Sequence, residues 1–185
     1  MNSCLDKFFT EKELLDLYKI KNLIRYNNKT KLHNENVAEH SYFVALLGLK
    51  ICDKYCLSNH IKRKVMIKAL LHDIPEMYIN DITYDAKMIL NISHQLKEFE
   101  KKFYKTEYPQ YFNLMKDKVD LVSTIVVTAD ILSAKQYILN EFELGNKSSD
   151  IIEINKQLDE RLNKQYVLLT TFKEIKEYET KILGN

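Results

Sequence analysis

Glycine and proline are scarce, three and two residues in a chain of 185. Few positions can therefore interrupt a helix, and long segments repeat apolar residues at three- and four-residue spacing, so the fold class reads as all-α. Cysteine is scarce as well: Cys4, Cys52 and Cys56 make an odd count with no disulfide framework, which fits free thiols in a reducing compartment. Cys52 and Cys56 lie one helical turn apart, but without a second pair nearby they read as small apolar groups on a helix face rather than a metal clip. No stretch approaches the roughly 18 consecutive apolar residues of a membrane-spanning helix. Asp6, Lys7, Glu11, Lys12 and Glu13 occupy the place of a signal run. A soluble, cytoplasmic protein with no membrane partner is expected. A one-sided charge is missing too: 28 basic residues against 26 acidic give a net charge of +2, which argues against a nucleic-acid partner. Any charged substrate has to be met by a local patch. With 45% hydrophobic residues, the length suits one core, so residues 1–185 are expected to form a single domain.

The periodicity predicts a first helix over about residues 10–25, with Thr10 as N-cap and Glu13 completing a capping box. The asparagine-rich stretch 27–36 reads as a loop. A second helix, about 37–55, sets Val37, His40, Val44, Leu47 and Ile51 on one stripe, which turns His40 inward. A third, about 59–72, ends at His72-Asp73-Ile74-Pro75, because proline biases the residue before it away from helix. Residues 80–87 look like a turn or a short irregular segment. Helices of about 91–107, 119–144 and 150–183 follow, with Gly145-Asn146 ending the penultimate one and Ser148-Ser149-Asp150 offering N-caps for the last.

Taken singly, His40 reads as a hydrogen-bonded core histidine. The adjacent pair His72-Asp73 at a helix end shifts that reading, since an imidazole and a carboxylate side by side can converge on one cation. Asp130 adds to it: among Ile125, Val126, Val127, Ala129, Ile131 and Leu132 an unpaired carboxylate costs several kcal/mol, and a metal offsets that cost. Two imidazoles and two carboxylates without a thiolate suit one divalent ion (manganese, iron, cobalt, nickel or zinc), with open positions for water and substrate oxygen.

The order His40…His72-Asp73…Asp130 resembles the pattern of the HD-domain metal-dependent phosphohydrolases. The segments Glu35-Asn36-Val37-Ala38-Glu39-His40-Ser41, Leu71-His72-Asp73 with Glu76 and Asp81 after it, and Thr128-Ala129-Asp130 followed by Glu141 and Gly145-Asn146 are similar to the 5′-deoxynucleotidase branch. This resemblance spans about 23–146. It implies an HD-domain helical bundle of about six or more helices, a homodimer, and release of phosphate from (deoxy)nucleoside 5′-monophosphates. It also implies that His40, His72, Asp73 and Asp130 hold the metal, that Glu76 is the acid/base group with Asp81 positioning or activating water, and that Arg25 grips phosphate oxygens. Lys87 falls at another matching basic position. Read without the resemblance, Arg25 would be an exposed ion pair, Glu76 a helix N-terminal acid, Asp81 an Asx-turn and Lys87 a solvated charge.

Two features depart from the family. Tyr26 stands where a tryptophan usually packs against the sugar, and Ile82-Thr83-Tyr84-Asp85 replaces a segment that commonly carries prolines. His33 stands where an arginine is frequent, and His60 and His94 read as surface residues. Relatives of this size that release triphosphate from deoxynucleoside triphosphates use the same four ligands, so that reaction is the main alternative, with Lys29, Lys31, His33 and Lys62 as further cations. A metal- or nucleotide-binding regulatory module is an alternative of another class; intact Glu76 and Asp81 speak against it. The apolar residues Ile154, Leu158, Leu162, Leu169, Phe172, Ile175 and Ile182 of the last helix also point to self-association through a helical face.

Overall fold

The computed structural model describes residues 11–183, with the side chains of 11–13, 84–85 and 182–183 left aside. The Thr10–Glu13 capping box lies outside the described residues. The elements run α1 (Glu11–Lys19), a 3-10 turn (Ile20–Asn22), α2 (Val37–Lys54), α3 (Asn59–Leu71), α4 (Glu76–Ile79), α5 (Tyr84–Leu90) and α6 (Ser93–Glu107). A 3-10 turn (Pro109–Tyr111), α7 (Phe112–Met115), α8 (Leu121–Glu143), α9 (Ser149–Leu169) and α10 (Lys173–Leu183) follow. Among the described residues the elements are helical, and one isolated antiparallel bridge joins Ile24 to Asn36.

α2 starts where Asn36 accepts the Glu39 N–H and Glu39 reaches back to the Asn36 N–H, a complete capping box. Its buried stripe Val37, His40, Ser41, Val44, Ala45, Gly48 and Cys52 packs on α3 and α8. α8 begins at Asp120, whose carboxylate accepts the Ser123 N–H, and runs through the centre of the fold against α2, α3 and α9. It is long and apolar enough to cross a membrane, yet 72% of that stretch is buried inside the protein, as in a core helix packed on all sides. Gly145 ends it at φ 93°, donating to Phe142 O while Asn146 N–H reaches Glu141 O, a Schellman closure that needs the left-handed residue.

Three stretches differ from the sequence reading. The first helix stops at Lys19 because residues 23–25 are drawn out to pair with 35–37: Arg25 N–H donates to Glu35 O at 2.9 Å and Val37 N–H to Leu23 O at 2.9 Å. Residues 80–83 are irregular as expected, but helix resumes at Tyr84 instead of after 87. The last helix is broken, since the Thr170 and Thr171 hydroxyls take the Val167 and Leu168 carbonyls and compete with continuation. Leu158 and Leu169 before the break and Ile175 after it are buried. Ile154, Leu162 and Phe172 stay half-buried, and the Ile182 side chain lies outside the described residues.

α2 and α3 approach closely at Gly48, where a Cβ would stand 2.7 Å from Val65 Cγ1 in a fully buried position. Valine in a helix has little χ1 freedom with which to yield. Gly48→Ala is therefore expected to cost about 1–2 kcal/mol net, overpacking outweighing the gain in helix propensity, and to lower Tm by a few degrees. A thermal melt unchanged from wild type would show that the contact relaxes.

Candidate functional site

α2 carries His40, the turn after α3 carries His72 and Asp73, and α8 carries Asp130, and all four side chains meet between these helices. One ligand atom each from His40, His72 and Asp73 lies within 4.8 Å of the others. Asp130 stands at the side of that set, its Oδ1 3.1 Å from His40 Nε2, while Asp73 Oδ2 is 3.2 Å from His72 Nε2 and 3.7 Å from His40 Nε2. Both Nε2 atoms are buried without a hydrogen bond: these carboxylates are near enough but off the direction an N–H would take. Two orphaned imidazole nitrogens facing two carboxylates are a donor set for a divalent ion, and the absence of sulfur suits a metal of intermediate softness.

The ring orientations bear on that fit. His72 Nδ1 lies 2.7 Å from Ala69 O, so it carries a proton, and the neutral ring keeps its lone pair on Nε2, the tautomer a metal ligand needs. His40 Nδ1 lies 2.8 Å from Arg25 Nη1 and 3.2 Å from Ser133 Oγ. Arginine can only donate, so as arranged Nδ1 accepts and the proton sits on Nε2. For Nε2 to bind an ion the proton must move to Nδ1, with Ser133 Oγ as acceptor, and Arg25 must release His40 and stay with Glu35, 2.6 Å from its Nη1.

Positive charge is strongly favoured here. Burial opposes a charge on His72, but the Asp73 carboxylate outweighs it and raises the imidazole to about 9. Burial likewise opposes charge on Asp73 and Asp130, yet His72 beside the first and His40 beside the second hold both carboxyls below their ordinary value. A divalent ion competes with protons for the same lone pairs.

Glu76 opens α4, directly after Pro75, and its Oε2 is buried without a partner. Burial, reinforced by the Asp73 and Asp81 carboxylates, raises its carboxyl to about 9. Asp81 follows the left-handed Asn80 (φ 61°) and accepts the Tyr26 N–H at 3.1 Å, joining this segment to the loop that carries Arg25. A cavity of about 60 Å³ is lined by His72, Asp73, Glu76, Lys87 and Glu100, among others. Water in the liquid takes about 30 Å³, so the enclosed part holds roughly two waters or a phosphate-sized group. A larger hollow of about 840 Å³ beside α10 carries none of these groups.

The candidates named from the sequence thus gather around one cleft: the His–Asp cluster, Glu76 and Lys87 on its wall, and Asp81, Tyr26 and Arg25 bonded to one another or to the cluster. His60 and His94 are exposed, as expected; Cys52 is buried, Cys56 is exposed, and both are free thiols. Arg25 is not an exposed ion pair, since its side chain is only 13% exposed. Sequence reasoning missed the supports. Tyr104 on α6 donates to Leu71 O and His72 O at 2.7 and 2.8 Å and fixes the turn that presents His72 and Asp73. Ser133, one turn after Asp130 on α8, was legible only as another small residue in an apolar helix.

Comparison with known proteins agrees with this geometry. A dATP triphosphohydrolase of Salmonella phage PMBT28 is 25% identical over 155 residues, 80% of this chain and 77% of that protein. An HD-domain phosphohydrolase from Listeria innocua superposes with a TM-score of 0.69 at 22% identity, covering 94% of this chain and 95% of the other. An HD phosphohydrolase of cyanophage S-2L, solved with dA and one catalytic Zn2+ ion, gives a TM-score of 0.69 at 17% identity over 96% of this chain and 99% of its own. At such identities these two structures establish a shared fold. The 5′-deoxynucleotidase YfbR-like family matches residues 14–182, almost the whole chain, and the protein belongs to that family.

Proposed function

We propose that the protein hydrolyses (deoxy)nucleoside 5′-monophosphates to nucleoside and phosphate at a single divalent metal held by His40, His72, Asp73 and Asp130. The observation that carries this reading is the convergence of the His40, His72 and Asp73 ligand atoms within 4.8 Å, beside a cleft wall formed by Glu76 and Lys87. A bound divalent ion supplies Lewis acidity toward a phosphoryl oxygen and lowers the pKa of water. The chain's own groups do the rest. Arg25 offers its planar fork to phosphate oxygens, and Lys87 adds a point charge on the cleft wall. Glu76, a half-buried carboxyl with one buried, unpartnered oxygen, holds and delivers the proton that the leaving 5′ oxygen needs. Asp81 keeps the Tyr26 backbone, and with it the adjoining Arg25, in register with the cluster.

One observation favours a second reading, release of triphosphate. Lys31 Nζ donates to Arg25 O at 2.7 Å, which brings a further cation beside the phosphate grip, and a dATP triphosphohydrolase is among the relatives. A product screen with metal-loaded protein against deoxy- and ribonucleoside mono- and triphosphates separates the two. Orthophosphate from monophosphates is the expected product; triphosphate as the released anion would overturn the first reading.

Tyr26 sets the sugar preference in this proposal. Its ring is stacked on Tyr137 at 4.9 Å, with the Arg25 guanidinium 5.1 Å from its centroid, so it stands as a fixed wall. Tyr26→Trp is expected to raise the deoxy-to-ribo ratio of kcat/KM by about fivefold, ~1 kcal/mol in differential barrier, through a bulkier wall without the hydroxyl. An unchanged ratio would place the sugar elsewhere. A homodimer belongs to the same proposal, but with Leu158, Leu169 and Ile175 buried within the chain its interface has to use other apolar surface. Exposed Tyr42, Phe43 and Leu46 on α2 provide some. Light scattering giving a monomer mass at micromolar concentration would reject it.

A further inference from the structure

The densest polar network outside the cluster lies near the C-terminal end of α8. The Glu141 carboxylate is fully buried and accepts the backbone N–H groups of Leu32 and His33 at 2.8 and 3.0 Å. It also faces His33 Nδ1 at 2.6 Å and accepts from Asn146 Nδ2 at 2.6 Å. Asn146 donates to Thr30 O as well, at 2.9 Å. A buried carboxylate without partners is costly, whereas here several donors converge on it, two of them backbone N–H groups of the 32–33 segment. The loop and the acid therefore need each other.

Four residues earlier on the same helix, Tyr137 donates its hydroxyl to His33 O at 3.0 Å. Its ring stacks on Tyr26 at 4.9 Å with 13° between planes and lies against the His33 ring, tilted by 37°, at 4.5 Å. Asp130, Ser133, Tyr137 and Glu141 follow at three- and four-residue spacing, so they share one face of α8. One rigid helix thus presents Asp130 and Ser133 to His40 and, about 16 Å further along at 1.5 Å per residue, presents the loop anchor. Tyr26 itself sits at φ 56°, a left-handed conformation that costs a bulky residue about 1–3 kcal/mol and persists only where its surroundings over-determine it.

We propose that Glu141 and Tyr137 are positioning residues of the nucleotide site. They clamp residues 26–33 to α8 and so set Arg25 and Tyr26 at a fixed distance from the His–Asp cluster. This rests on the phosphohydrolase reading above only for the identity of the substrate, not for the clamp. Loosening the clamp displaces the phosphate grip and the sugar wall while leaving the ligands in place.

The chain has no tryptophan, so Tyr26→Trp introduces a lone fluorescent reporter in the loop. We compare it with Tyr26→Trp/Glu141→Gln and Tyr26→Trp/Tyr137→Phe by acrylamide quenching, and the single variants Glu141→Gln and Tyr137→Phe with wild type by metal content and by KM and kcat for phosphate release. Glu141→Gln is expected to raise the quenching constant about threefold and KM about tenfold, the size of a lost charge-assisted hydrogen bond, with kcat changed less and metal retained. Tyr137→Phe, which removes one hydroxyl and nothing else, is expected to move both quantities the same way by about half as much on a logarithmic scale, and it decides the matter if Glu141→Gln does not fold. Unchanged quenching and KM overturn the proposal, because the network then only fills space. Loss of metal in step with the quenching overturns it too, because the two residues then hold the whole site and not the loop. If wild type releases triphosphate, the substrate reading fails while the quenching comparison still decides the clamp.

Discussion

Glu76→Ala is expected to keep the metal and the fold and to lower kcat for phosphate release by about 10²-fold or more, the usual weight of a positioned acid/base group. The side chain contributes little packing, being a half-buried carboxyl on the wall of a cavity of about 60 Å³, and its Oε2 has no hydrogen bond to lose. Its removal therefore relieves a desolvated carboxyl and does not break a network. If structural support were its purpose, the structure would show partners for it. The measurement is a kcat comparison with metal content and melting temperature held alongside. Turnover equal to wild type would make Glu76 structural and pass its role to Asp81.

The second large effect concerns the cluster itself. Purified protein is expected to hold about one divalent transition metal per chain, and His72→Ala and Asp130→Ala are each expected to lose most of it, since each removes a ligand and leaves the facing group without compensation. His72 is the sharper test, because Ala69 O at 2.7 Å already fixes its ring with Nε2 toward Asp73. Asp130 is the more informative one, because it touches the cluster through His40 at 3.1 Å and stands outside the tightest group of three. Elemental analysis decides: full metal in both variants would remove the basis of the assignment, and loss in His72→Ala alone would reduce the ligand set to three.

Much of the site was legible from local signals. The apolar stripe of α2 put His40 inside, Pro75 marked the helix end at which His72 and Asp73 are presented, and the apolar neighbours of Asp130 made its carboxylate conspicuous. What escaped depends on partners distant in sequence. Glu141 stood out only as part of the family pattern and without a role, because its donors are backbone N–H groups 108 and 109 residues earlier. Tyr137 and Ser133 were indistinguishable from core residues of an apolar helix for the same reason. Element boundaries failed where side chains or tertiary pairing intervened: the threonine hydroxyls at 170–171 that break the last helix, and the pairing of 23–25 with 35–37 that shortens the first. Helical periodicity runs through both places without a mark. Short α7 and the 3-10 turn before it lie in a segment too brief to show any period.

The proposed reaction is phosphomonoester hydrolysis with one divalent metal at the His–Asp cluster. The most direct measurement is a reconstitution titration: chelator-treated, dialysed protein receives increasing cobalt, manganese or zinc while orthophosphate release from a deoxynucleoside 5′-monophosphate is followed. The expected result is negligible release without metal and a linear rise that breaks at about one equivalent per chain. Full-rate release from the metal-free protein, or no release from any monophosphate at any metal loading, would contradict it.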